Sequence, residues 1–267
     1  MASQPEEVAA GVFRLSIHWT NIYFVRSASS WGLIDAAWTN SGRLILKTAE
    51  SLFGANTRPS AIYLTHAHPD HSGSALELAR MWDVPVYVHP RELLPATGDM
   101  SAFAEYPAGP IDRWVIVPLM RVMPRRTREA ALAHEAAFRE VARALVPGAG
   151  IPGLPGWECV PTPGHSPGHV AFFRSSDRVL ISGDALLTVN LNSLWDLVRL
   201  KRRVSGPPYI SSWNWRVAKE SVATLARLEP RVLACGHAAP MAGADVAREV
   251  RAFAGRFSAH AQEPVEV

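Results

Sequence analysis

The stretch SAIYLTHAHPDHSGSALELARMW, residues 60–82, limits the possible folds more than any other part of this chain. A short apolar strand runs without a linker into HAHPDH, and a helical pattern begins directly after it. Four side chains of metal-binding type, His66, His68, Asp70 and His71, therefore sit where a strand hands over to a helix. Histidine packs at a cost, because its ring nitrogens need partners when buried. In extended chain leaving a strand, His66 and His68 point to the same side and can share one ion. Pro69 stiffens the turn, which sets Asp70 and His71 across the same small pocket. One motif thus offers ligands to two neighbouring ions.

Two ions need more ligands than this, and later strand ends supply them. PTPGHSPGH places His165 in a Gly/Pro-rich turn, LISGDAL ends a strand at Asp184, and VLACGHAAP ends another at His237. Each lies beside a glycine, where the backbone can approach closely. The surrounding pattern alternates strands and helices, the order of helices packed on sheets. VFRLSIHW and NIYFVRSASSWGLIDAA read as three short strands. Helical spacing covers 41–55, 72–82, 127–146, 214–228 and roughly 243–257. We expect one domain over residues 1–267, with a helical insertion at about 91–155, closed by the turn cluster PGAGIPGLPG, and an irregular insertion at about 187–212.

Composition narrows the class further. With 48% hydrophobic and 19% charged residues the chain is globular, not disordered. A net charge of +3 does not argue for nucleic acid, and the basic runs at 121–128 and 199–204 read as solvated faces. Cys159 and Cys235 lack disulfide or metal-finger spacing and read as buried thiols. The N-terminus lacks a secretory pattern, and no stretch reaches the roughly 18 apolar residues of a membrane span. The expectation is a soluble cytoplasmic protein acting on a small molecule, without a nucleic-acid partner. A homo-oligomer is compatible with the sequence.

With H-x-H-x-D-H at His66, His68, Asp70 and His71, then His165, Asp184 and His237 in order, residues 10–240 resemble the metallo-β-lactamase-fold hydrolases. The resemblance implies an α/β fold, an αββα sandwich with metals at one edge, and we expect the two insertions to lie near that edge as lids. It also implies His66, His68 and His165 on one ion, Asp70, His71 and His237 on the other, and Asp184 bridging. The cofactors implied are two divalent ions, zinc first, with iron or manganese as alternatives. Such ions, roughly 3.5–4 Å apart, would hold a bridging hydroxide as nucleophile. Asp70 would orient it and pass a proton to the leaving group.

Aspartate at 184 looks like glyoxalase II, the quorum-quenching lactonases and the RNA-processing members. About 30 residues follow His237, too few for the glutathione-binding domain of glyoxalase II. ALLTVN after Asp184 lacks the tyrosine of the lactonases. The expected reaction is hydrolysis of an ester-type bond (thioester, lactone or other carboxylic ester) in a partly hydrophobic substrate. Alternatives on the same fold are a mononuclear iron enzyme like the persulfide dioxygenases, using His66, His165 and Asp184, and an RNA or phosphodiester hydrolase. Trp38, Trp195 and Tyr209 are candidate substrate contacts, with Trp114, Met120, Met123 and Trp213 as further lid residues. His169 is expected to support the site or pack a strand, whereas His18, His89, His134 and His260 read as structural.

Overall fold

Several strands are apolar on both faces, and that decides the layering. In the computed structural model, which describes residues 4–28, 30–97, 136–199 and 201–259 and positions 114, 118 and 134, seven strands form a first sheet in sequence order. They are β1 (Glu6–Ala9), β2 (Val12–Ile17), β3 (Thr20–Ser27), β4 (Ser30–Ile34), β5 (Ile62–Tyr63), β6 (Val86–Val88) and β7 (Ala142–Ala144). Pairing is antiparallel from β1 to β4 and parallel from β4 to β7. The second sheet is built from β8 (Trp157–Pro161), β9 (Val170–Arg174), β10 (Val179–Gly183), β13 (Val232–Cys235) and β14 (Met241–Ala242). A small antiparallel pair, β11 (Leu187–Val189) and β12 (Arg202–Ser205), stands apart.

Side chains alternate across a strand, so each strand can feed two cores. On β3, Tyr23 and Val25 turn toward the second sheet and pack with Ile34, Tyr63 and Phe172. Their neighbours Ile22 and Phe24 pack instead with Ile45 of α1 (Gly42–Phe53) and Leu78 of α3 (Ala75–Trp82), while the short α2 (Pro69–Ser72) precedes α3 in the chain. On the other sheet Val179 and Ile181 face inward, while Leu180 joins Val222 and Val250. Those two belong to α6 (Trp215–Arg227) and α7 (Val246–Ala259), which follow the short helices α4 (Leu93–Thr97) and α5 (Leu194–Val198). Three apolar layers between four structural layers give the expected αββα sandwich. Each large side chain so buried contributes about 1.5–3 kcal/mol.

Three sequence expectations change. Residues 136–141 are helical, but the helix expected over 127–146 ends there and Ala142–Ala144 becomes β7. The ARA segment has no strand propensity of its own. The open parallel edge of β6 decides it, with Leu145 N–H donating to Val88 O at 2.9 Å. β1 is an additional edge strand. Segment 187–212 is more ordered than expected, holding β11, α5, β12 and a 3-10 turn at Tyr209–Ser211. Met120 and Met123 lie outside the described residues, as does most of the segment between 98 and 135. Among the described residues no helix is long and apolar enough to cross a membrane.

Candidate metal centre

The seven sequence-chosen ligand residues leave the same edge of the sandwich. His66 follows β5, and His68 caps the N-terminus of α2 with extended backbone (φ −62°, ψ 146°). Pro69 takes the first helical position, where its missing N–H costs nothing, and Asp70 and His71 fall in that single turn. His165 lies in the β8–β9 loop, Asp184 directly follows β10, and His237 is two residues past β13. The two sheets are tied together here. Val170 N–H donates to Thr65 O at 2.9 Å, and Asn21 N–H to Gly236 O at 2.7 Å.

The side chains converge in overlapping groups. His66, His68 and His165 form one, Asp70, His71 and His237 a second, and His66, His71 and Asp184 a third; within each, the donor atoms lie within 4.8 Å of one another. Asp184 joins the first two, with one oxygen 3.5 Å from His165 Nε2 and 3.2 Å from His237 Nε2, and the other 3.5 Å from His71 Nε2. His68 Nδ1 approaches His165 Nε2 to 3.0 Å. Asp70 Oδ2 stands 3.4 Å from His237 Nε2 and 3.5 Å from His71 Nε2. His66, His71, His165 and Asp184 are buried, whereas Asp70 (17% exposed) and His237 (15%) form the open rim.

This cluster does not satisfy itself. His66 Nε2, His71 Nε2 and Asp184 Oδ1 are buried without a hydrogen-bond partner, an arrangement that is expensive unless a ligand completes it. Five imidazoles and two carboxylates suit a borderline divalent cation such as zinc, iron or manganese. Electrostatics divide the cluster between neutral rings and charged groups. Burial, reinforced by neighbouring imidazoles, holds His66 and His165 well below their usual range, so both are neutral donors. Burial alone would raise Asp184, but His237 and His71 more than offset it and keep the carboxylate ionised. Burial also opposes a charge on His71, yet Asp70, Asp35 and Asp184 push it up to about 10.

The other ring nitrogens are anchored. His71 Nδ1 meets Asp35 Oδ2 at 2.8 Å, His66 Nδ1 meets Thr65 Oγ1 at 3.0 Å, and His165 Nδ1 meets Ser212 Oγ at 3.2 Å. His237 Nδ1 lies 2.9 Å from Trp19 O, and Thr20 Oγ1 donates to Asp70 Oδ2 at 3.2 Å. Such partners fix ring orientation and raise ligand basicity. His169 Nε2 accepts the Asp184 backbone N–H at 3.1 Å, so it holds the turn that carries Asp184. Glu92 accepts from Ala67 N–H and Gly168 N–H, joining the loops that carry His66 and His165. Gly236 is required by space, since a Cβ there would lie 2.1 Å from Asp184 Oδ1.

Against known proteins, the family model for the metallo-beta-lactamase superfamily matches residues 20–237. The chain belongs to the metallo-β-lactamase superfamily. It is 35% identical over 257 residues to the Bacillus subtilis protein named probable metallo-hydrolase YflN, covering 94% of this chain and 93% of that one. The fold is similar to that of the Thermus thermophilus metallo-beta-lactamase family protein TTHA1429 (TM-score 0.64, 25% identity, 96% of this chain and 81% of that chain). It is also similar to TTHA1623, solved in a di-iron-bound form (TM-score 0.55, 25% identity, 84% and 89%).

This superfamily member orients its candidate ligands through groups with no motif of their own. Asp35, Thr20, Ser212 and Glu92 were not singled out in the sequence, and Trp19 acts through a backbone carbonyl. Asp35 carries the one available clue, an acidic residue ending the apolar strand SWGLI. Of the candidate substrate contacts, Trp38 is 42% exposed on the loop whose carbonyl accepts from Ser74 Oγ at 2.6 Å. Tyr209 opens the turn that carries Ser212 and packs edge-on to Trp215 at 5.3 Å. Trp195 is 72% exposed beneath the Arg199 guanidinium at 5.5 Å.

Proposed function

We propose that this chain is a metallo-hydrolase that holds two divalent ions, zinc in the first instance, and cleaves an ester-type bond in a small, partly hydrophobic substrate. The supporting observation is the orphaned set of buried donors, His66 Nε2, His71 Nε2 and Asp184 Oδ1, facing one another beside the open rim. In this reading His66, His68 and His165 would hold one ion and Asp70, His71 and His237 the other, with Asp184 placed to serve both. When bound, such ions would supply an acidified water as nucleophile and a Lewis acid for the substrate carbonyl.

The chain's own groups do the rest. Asp35, Thr65 and Ser212 keep the imidazoles in the tautomers that leave their inward nitrogens free to ligate. Asp70 Oδ2, on the rim and braced by Thr20, accepts a proton from the attacking water. It then delivers that proton to the departing oxygen or sulfur. No Ser or Cys nucleophile is required. Trp38, Trp195 and Tyr209 would flank the apolar part of the substrate.

A hydrolysis panel of thioesters, lactones, β-lactams and phosphodiesters on metal-loaded protein tests this, with Asp70→Ala as control. Turnover of a carboxylic ester or thioester that disappears in Asp70→Ala is expected; turnover that survives would sink the mechanism. Metal analysis of protein purified without added metal tests the ion count. One iron per chain with oxygen consumption on a persulfide would overturn the hydrolytic reading.

A further inference from the structure

Helix α7 buries one stripe of side chains and leaves a second without cover. Val246, Val250 and Ala254 pack into the core beneath it. Glu249, Ala252, Phe253, Arg256 and Phe257 instead line a cleft of about 630 Å³, walled elsewhere by Gly206 and Trp215. Their spacing, i, i+3, i+4, i+7 and i+8, sets them along one helix face. Phe257 stacks on Phe253 at 5.1 Å and meets Trp215 edge-on at 5.1 Å, so the floor is aromatic and half-buried. A Cβ on Gly206 would lie 2.9 Å from the Phe257 ring, which brings the chain beyond β12 directly against α7.

Charge on this helix is unevenly settled. Arg248 pairs with Asp245 at 2.8 Å, and Arg251 pairs with Glu229. In the cleft, Arg203 is held by Asp196, and the Lys219 ammonium lies 5.9 Å from the Phe257 ring. Glu249 and Arg256 have no ion-pair partner among the described residues, and both line the cleft. They stand two turns apart, about 10 Å along the axis, with Ala252 and Phe253 midway between them.

An acid at one end, a base at the other and an apolar centre form a self-complementary pattern. A two-fold axis passing between residues 252 and 253 would lay a second α7 antiparallel on the first. Each Glu249 then meets Arg256 of the partner subunit. Each Phe253 faces Ala252 of the partner subunit, a large ring opposite a methyl group.

We propose that this face of α7 is a homodimer interface, on which a second copy of the chain docks antiparallel. Covering Phe253 and Phe257 supplies the apolar core of the contact, and the two ion pairs set its register and orientation. None of these residues belongs to the metal-type cluster, so the interface stands or falls separately from the hydrolase reading.

Sedimentation velocity on the full chain tests it. The native protein should sediment as a dimer at micromolar concentration. Glu249→Arg and Arg256→Glu each set like charges against one another twice per dimer, and each should weaken association about tenfold or more. Mixed in equal amounts, the two variants should form the dimer that neither forms alone, because a face with two bases then meets a face with two acids. A variant that had merely unfolded could not recover in this way. Native protein that stays monomeric throughout the micromolar range would overturn the interface. So would single variants that dimerise like the native chain, or a mixture that remains monomeric.

Discussion

Asp35 Oδ2 lies 2.8 Å from Nδ1 of His71, and the same carboxylate accepts from the Thr65 backbone N–H at 2.8 Å and from the Thr65 hydroxyl. One buried acid therefore orients His71 and, through Thr65, the neighbour of His66. Asp35 holds this place in a left-handed backbone conformation, φ +62°, where aspartate is tolerated better than most residues. Asp35→Asn keeps the shape and removes the charge. Metal affinity, measured by chelator competition, should fall about 10- to 100-fold. An unchanged affinity would remove Asp35 from the site.

Stability of the metal-free protein should peak near pH 6.5. Burial lowers His169 to about 3, against 6.5 for an ordinary histidine, and lowers His66 and His165 too. Below pH 6.5 the unfolded chain takes up protons that these buried rings refuse, so stability falls with acid, by roughly 1.4 kcal/mol per pH unit for each group. His71 acts oppositely. Raised to about 10 by Asp70, Asp35 and Asp184 against the opposing effect of burial, it contributes stability that is fully present below 6.5 and lost as pH rises through about 10. Denaturant midpoints from about pH 4 to about pH 10 would show this as a maximum. A flat acid limb would contradict it.

Gly236→Ala should empty the site without unfolding the chain. The new methyl would meet Asp184 Oδ1 at 2.1 Å and His71 Cε1 at 2.8 Å, forcing the central carboxylate aside. Metal content by atomic spectroscopy should fall below one ion per chain, with far-UV circular dichroism retained. Full metal content in this variant would mean that Asp184 does not join the two groups.

His169→Leu should leave the Asp184 N–H without its acceptor, at a cost of about 1–3 kcal/mol in a buried setting. His169→Gln, which can present an oxygen at the same place, should recover part of the loss. Equal denaturant midpoints for the two variants would show that the bond contributes nothing.

Metal removal should destabilise the whole sandwich. The ions would bind only the folded arrangement of strand ends, so at a free metal concentration 100 times Kd each would add about 2.7 kcal/mol. Dialysis against a chelator should lower Tm, and His66→Ala should reduce that metal-dependent shift. A Tm insensitive to chelation would argue against any structural ion here.

The candidate donor cluster was legible because coordination restricts residue type. Donors to a divalent ion come from few side chains, and His66, His68, Asp70 and His71 fall within six successive positions. His165, Asp184 and His237 stand beside glycines at strand ends, so the strand pattern displayed them. The layering was legible for a similar reason, since strands apolar on both faces require cover on both sides. Tertiary structure alone decided the supports. A ring N–H can be satisfied by any nearby acceptor, and here Asp35, Ser212 and the backbone carbonyl of Trp19 serve equally well, from distant places in the chain. The conversion of Ala142–Ala144 from expected helix to strand has the same origin. Its own residues prefer a helix, and only the open edge of β6, more than fifty residues earlier, turns them into β7. Side-chain chemistry is written locally, whereas a backbone hydrogen bond leaves no mark on the identity of the residue that makes it.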